Sequence, residues 1–240
     1  MKRSLSIFSI VFLSFLMAAC GKVSQVEILQ RQLDRYPEYS IILEDMKEEG
    51  NFFSDYYHKY KLVYADKAAG SDSLIYSTGI TDWRRVTDKE FDKYAPYLGM
   101  VLASKSADGK VANEPYPPGY QYVGDSRYGQ WRRDSSGNSF WEFYGKFAFM
   151  NAMFNMFAGP VYRNDWDTYR DYRSGGRPYF GPNQQYGTSG KYTQQTNRSF
   201  FERRQARERA QKQSFGNKVE QRTRRSRMSG FRSRSGGFGK

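Results

Sequence analysis

The spacing of apolar and polar positions changes several times along this chain, and each change marks an expected element. After Lys2 and Arg3, residues 5–16 are apolar except for Ser6, Ser9 and Ser14. Such a run falls short of the roughly 20 residues that cross a bilayer and matches the hydrophobic stretch of an export signal. Val23, Val26, Leu29, Leu33 and Tyr36 recur at steps of three and four, which predicts an amphipathic helix over residues 22–36. Pro37 suits the first turn of a second helix, residues 37–49, with Ile41, Ile42, Leu43 and Met46 on its apolar side and Gly50 as its stop. From Asn51 to Ala65 the period becomes two. Phe52, Tyr56, His58, Tyr60, Leu62 and Tyr64 alternate with polar positions, as in a long strand with one covered face. Residues 67–72 read as a turn, 73–78 as the returning strand and 80–86 as a third strand. Thr87-Asp-Lys-Glu90 is a capping box for a short helix, 88–94. Residues 97–104 are strand-like, and Asp108-Gly109 is a hairpin signal leading to Val111.

Regularity breaks at Pro115, Pro117, Pro118 and Gly119, then resumes as an expected strand over Tyr120–Val123. Asp134-Ser-Ser-Gly-Asn138 reads as a turn, and Ser139-Phe-Trp-Glu142 as a second capping box. It would open a helix, Ser139–Phe157, that is apolar on almost every side and ends at Gly159-Pro160. Its uncharged part, residues 147–158, would be about 18 Å long at 1.5 Å per residue, too short for the hydrocarbon layer. The expected place for it is the core, with docking on a membrane or a partner as the alternative. From Val161 the chain is rich in Tyr, Gly, Arg and Gln and poor in aliphatics, so no folding core is expected there. Ser199-Phe-Phe-Glu202 opens an Arg-rich helix, residues 200–213, before a flexible basic end. The sum is an α+β fold: a small antiparallel sheet with a few helices, followed by a largely disordered basic C-terminal tail.

Charge sharpens that division. Residues 191–240 carry 15 Lys or Arg against three acids, while residues 20–190 carry 21 against 22. The net charge of +13 therefore belongs to the tail, which reads as an arm for polyanions. Twenty Tyr, 18 Phe and four Trp point to packing by aromatic side chains. A single cysteine allows no internal disulfide, and with one histidine it assembles no zinc or copper cluster. There is no P-loop and no G-x-G-x-x-G behind a strand.

The apolar run ends in Met17-Ala18-Ala19-Cys20, which resembles the lipobox of bacterial lipoproteins, with methionine at the position where leucine is usual. The resemblance covers residues 1–21. It implies a signal peptide over 1–19 and a diacylglycerol and an N-acyl chain on Cys20 as the only attached groups. It also implies a membrane partner and a place in the cell envelope. Gly21, where an aspartate retains enteric-type lipoproteins in the inner membrane, implies the outer membrane. The expected organisation is then 20–36 as anchor and amphipathic helix, 37–158 as the α+β domain, 159–198 as a low-complexity linker and 199–240 as the basic tail.

Three motifs bear on chemistry. Gly124-Asp125-Ser126 resembles the nucleophile block of GDSL/SGNH hydrolases, and Asp55-Tyr-Tyr-His58 matches their D-x-x-H, although it precedes the serine. That resemblance implies Ser126 as nucleophile and His58 as base. Asp165, Asp167 and Asp171 suggest calcium, but the loop places that need Gly and Glu hold Arg170 and Gly176. The tail resembles the RGG/RS segments of nucleic-acid binders. Its candidate polyanion contacts are Arg203, Arg204, Arg207, Arg209, Arg222, Arg224, Arg225, Arg227, Arg232 and Arg234. An exported protein meets lipopolysaccharide phosphates, anionic lipid, acidic glycans, peptidoglycan carboxylates or extracellular DNA more readily than RNA. The expectation is a structural or interaction role without catalysis or metal, with an anionic envelope polymer or an envelope protein as partner. A Ser126 hydrolase and a nucleic-acid binder are the alternatives.

Overall fold

A computed structural model describes residues 23–50, 54–71, 73–154 and 159–232. The signal segment, Cys20 and Arg234 lie outside the described residues. The fold is α+β, and the chain divides into two units at the Thr196–Asn197 junction.

The first unit is built on an antiparallel sheet. Its strands are β1 (Glu38–Glu49), β2 (Asp55–Lys67), β3 (Leu74–Ile80), β4 (Arg84–Val86), β5 (Val101–Lys105) and β6 (Val111–Ala112). Their order is β3-β2-β1-β5-β6, with β4 also paired to β2. A separate hairpin joins β7 (Gly129–Arg133) to β8 (Ser139–Phe143). The helices are α1 (Gln25–Leu33), α2 (Asp88–Tyr94), α3 (Phe149–Phe154), α4 (Arg163–Ser174) and α5 (Lys191–Thr196). The second unit contains α6 (Arg198–Arg232). Among the described residues no helix is long and apolar enough to cross a membrane.

The helix expected over 37–49 is instead β1, the central strand. It pairs with β2 on one side and β5 on the other, and Glu38 to Leu43 are all buried. A strand covered on both faces reads as a continuous apolar run, which periodicity cannot separate from a helix. One face of β1 takes α1, whose Val26, Leu29 and Leu33 are buried. The other face takes an aromatic layer: Ile42 packs in one cluster with Tyr116, Tyr120, Tyr122, Tyr128, Trp141, Phe154, Tyr169 and Tyr179.

Several hydroxyls in that layer are paired, while the buried Trp141 Nε1 has no hydrogen-bond partner among the described residues. Glu38 is 1% exposed and accepts from the hydroxyls of Tyr128 (2.5 Å) and Tyr76 (3.0 Å). The Tyr116 hydroxyl donates to Oε1 of Gln121 (2.5 Å) and shares a bond with the Ser104 hydroxyl (2.6 Å). Gln121 in turn donates to Ser40 (3.0 Å). Large rings with satisfied hydroxyls thus replace the missing aliphatics.

Several local expectations hold. Glu90 N–H donates to the Thr87 hydroxyl (3.1 Å) at the start of α2. The Glu90 carboxylate, however, reaches α1, where it accepts from Ser24 (2.6 Å) and the Gln25 N–H (2.7 Å). The Asp108-Gly109 turn joins β5 to β6, and Asp134 accepts from the N–H groups of Ser136 and Asn138 in the β7–β8 turn.

Other segments differ. Tyr120–Tyr122 is a single 3-10 turn, not a strand, entered at Gly119 with φ 85°. Residues 139–157 are not one helix. Ser139–Phe143 pairs with β7, Gly145–Phe147 is a 3-10 turn and α3 follows, with residues 155–158 outside the description. Pairing with β7 and the Trp131–Trp141 contact (5.2 Å between rings) override the capping pattern at Ser139. Residues 159–196 are not an unpacked linker: Val161, Tyr169 and Tyr179 belong to the core cluster. In the second unit α6 runs to Arg232 rather than stopping at Gln213.

Candidate functional site

Three pieces of the first unit meet around a cleft of about 930 Å³: the β5–β6 turn, the segment 120–126 and one face of α4. The turn is closed by Gly109, φ 79°, whose N–H donates to the Ser106 carbonyl (2.8 Å). The Asp108 carboxylate pairs with the Lys110 ammonium (2.8 Å) and accepts from the Ser106 hydroxyl (2.7 Å). Those bonds, that to Lys110 first, hold it well below the usual carboxylate range.

Segment 120–126 reaches the cleft through Gly124, φ 85°. A Cβ there would lie 2.2 Å from the Trp166 indole, so the ring rests directly on the glycine backbone. Next to it, Arg127 binds Asp125 bidentately, Nε donating to Oδ1 (3.1 Å) and a terminal nitrogen to Oδ2 (2.5 Å). Partial burial works against ionisation of Asp125, but the bonds from Arg127 outweigh it and keep the carboxyl below its ordinary value. Gly124→Ala should cost about 2–4 kcal/mol, from the positive φ plus the clash with Trp166. Urea unfolding followed by tryptophan fluorescence would measure the loss.

α4 supplies Trp166, Tyr169, Arg170, Arg173 and Ser174 to the cleft, spaced i, i+3, i+4, i+7 and i+8 along one helix face. That spacing was present in a segment whose composition reads as unfolded, and it is the signal that could have revealed the site. Arg170 lies 4.7 Å over Trp166, and Arg163 lies 4.9 Å over Trp166 and 4.8 Å over Trp131. Arg163 and Arg170 share one acid, Asp167, at 3.5 and 3.8 Å. Half-buried Arg173 donates to the buried Tyr169 hydroxyl (3.0 Å). Burial disfavours its charge, yet the surrounding Tyr169, Tyr116 and Glu114 keep it firmly protonated.

The hydrolase constellation is not assembled. Ser126 is exposed at the cleft, whereas His58 is fully buried in β2. The His58 ring stacks on Phe91 (5.4 Å), Nδ1 shares a bond with the Tyr60 hydroxyl (3.0 Å), and Nε2 has no hydrogen-bond partner. Burial pushes its pKa down to about 4. Asp55 pairs with Arg85, not with His58. The three aspartates of the calcium pattern sit on α4, where Asp165 and Asp167 are about 200° apart around the axis, and Asp167 is engaged by arginines. Among the described residues no group of three or more His, Cys, Asp or Glu could hold a metal ion.

The tail arginines fall on α6. Arg203, Arg204, Arg209, Arg222 and Arg224 are exposed and Arg207 is half-exposed. Arg225, Arg227 and Arg232 lie on the helix, but their side chains are outside the description. At about 100° per residue, Arg203, Arg204, Arg207, Lys218 and Arg222 share one sector of about 100°, while Glu202 and Glu220 point to the far side. Arg204 pairs with Glu208 (3.3 Å) and Arg224 with Glu220 (2.9 Å). No family model, curated protein or solved structure matches this chain.

Proposed function

We propose that this protein is a lipid-anchored component of a bacterial cell envelope, attached through Cys20 and favoured for the outer membrane by Gly21. Its role is interaction rather than catalysis. The working part is α6, which presents arginines to anionic envelope polymers such as lipopolysaccharide or acidic glycan. An acidic face on an envelope protein would offer the same chemistry.

The observation that carries this reading is the cation sector of α6, with five Lys or Arg within about 100°, Glu202 and Glu220 on the far side and Glu208 paired with Arg204 at its edge. Guanidinium forks match phosphate and carboxylate geometry, and pairing releases counterions, so retention should fall steeply with salt. Surface ion pairs such as Arg204–Glu208 are worth little and exchange readily for a polyanion. The anchor is supported by the residues Met17 to Cys20 and by the chain's single cysteine.

Removing residues 197–240 should abolish salt-sensitive retention on lipopolysaccharide or heparin. Replacing Arg203, Arg204, Arg207 and Arg222 with Gln should weaken it strongly. Retention unchanged in both would refute the assignment. Palmitate labelling that persists in Cys20→Ala would remove the anchor. Equal salt-sensitive retention on RNA and on lipopolysaccharide would favour the nucleic-acid reading instead.

A further inference from the structure

The geometry points to the cleft between the β5–β6 turn, segment 120–126 and α4 as a binding site for a polyhydroxylated oxyanion, a sugar bearing a carboxylate or a phosphate. The site lies in the first unit and does not depend on the α6 arginines or on the lipid anchor.

Charge is the first argument. Both acids that line the cleft are already neutralised, Asp108 by Lys110 and Asp125 by Arg127. The cations of α4 are not matched in the same way. Arg170 divides Asp167 with Arg163 at 3.8 and 3.5 Å, one carboxylate for two guanidinium groups. Arg173 makes no ion pair among the described residues; Glu114 acts on it only through space, and its bonded partner is a neutral phenol. The cleft therefore carries a surplus of positive charge on two arginines, three residues apart on one helix face.

Preorganisation is the second. Arg170 is held on the Trp166 indole, and Arg173 is held by the Tyr169 hydroxyl and lies 6.0 Å from the Tyr116 ring. Arginines fixed by neutral aromatic partners keep most of their donors available, and little side-chain entropy is lost when an oxyanion arrives. An arginine whose function was to stabilise the fold would normally be closed by a carboxylate, as Arg127 is.

The remaining lining explains why the ligand is a sugar and not a bare anion. The volume, about 930 Å³, far exceeds one phosphate and suits a ring or two. Asp108 retains acceptor capacity beyond its contacts with Ser106 and Lys110, and Ser126 and Ser174 add exposed hydroxyls. The Asp108 carboxylate accepts from ligand hydroxyls and the serine hydroxyls both accept and donate, while the arginines take the anionic group.

The test uses the full mature chain, titrated with glucuronate, glucose 6-phosphate, glucose and inorganic phosphate by calorimetry or ligand-observed NMR. Both acidic sugars should bind, glucose should not, and phosphate should bind more weakly than glucose 6-phosphate. Arg173→Gln should weaken the acidic sugars at least tenfold, and Arg173→Lys should restore only part of the loss. Ser126→Trp, an exposed position that leaves the core intact, should block binding with the fold unchanged by circular dichroism. Replacing the α6 arginines should leave acidic-sugar affinity unchanged. Equal affinities in wild type, Arg173→Gln and Ser126→Trp would overturn the proposal, as would no binding of either acidic sugar. Phosphate binding as tightly as glucose 6-phosphate would refute the sugar component.

Discussion

A chain ending at residue 158 should show no cooperative unfolding transition, whereas a chain ending at Thr196 should keep one. The difference lies in what residues 159–196 do inside the first unit. Tyr169 contacts the Tyr116 and Tyr120 rings at 5.5 and 5.3 Å, and Tyr179 contacts Tyr120 at 5.6 Å. The backbone is tied as well: Trp141 N–H donates to the Val161 carbonyl, Tyr179 N–H to that of Pro115, and Thr188 N–H to that of Pro96, each at 2.9 Å. Truncating one large buried aromatic costs about 3–5 kcal/mol. Losing Val161, Tyr169 and Tyr179 together would consume most of the roughly 5–15 kcal/mol that holds a domain folded. Urea titration read by circular dichroism and one-dimensional NMR would separate the two chains. A cooperative transition with an unshifted midpoint in the shorter chain would show that these residues are dispensable.

Stability should also fall by about 3 kcal/mol as the pH drops from about 6.5 to about 4, through His58 alone. The group is buried neutral, so its pKa in the folded state lies below its unfolded value. Below pH 6.5 the unfolded chain binds a proton that the folded chain refuses, and the equilibrium shifts toward unfolding. The effect is complete near pH 4, where the folded state also protonates. Nothing nearby is placed to offset this, since Nε2 has no partner and the Tyr60 phenol is held protonated by burial. Carboxylates titrate in the same range, so the measurement is a difference. His58→Phe should be more stable relative to wild type at pH 4.5 than at pH 7.5, with the gap growing as pH falls. A gap independent of pH would mean that His58 is solvated or protonated in the folded protein.

Much of the sheet was legible in the chain. Alternation from Tyr56 to Tyr64 marked β2, and Asp108-Gly109 and Asp134–Asn138 marked the turns, because each depends on neighbours a few residues away. The capping box at Thr87 was equally readable, but not the reach of Glu90 to Ser24 and Gln25, 66 and 65 positions earlier. Among the site residues, Asp125 and Ser126 are visible in the sequence through their likeness to a hydrolase block. Their actual neighbours, Trp166, Arg170 and Arg173, sit in a segment whose composition is poor in aliphatics and gives no sign of a core. Alternation places His58 on a sheet face, and the structure buries it there in β2, while Ser126 is exposed at the cleft.

By itself the sequence determined the segregation of positive charge into the last 50 residues, the alternation of β2 and the turns at Asp108-Gly109 and Asp134–Asn138. These are properties of composition and near neighbours, and no tertiary contact alters them. Only the tertiary structure decided that residues 38–49 form a strand, that residues 159–196 belong to the core, and that a turn, a glycine and a helix face enclose one cleft. The reason is physical. Pairing on both edges of β1 and burial of aromatic rings far apart in sequence supply more free energy than local propensity, and neither can be read from a window of a few residues.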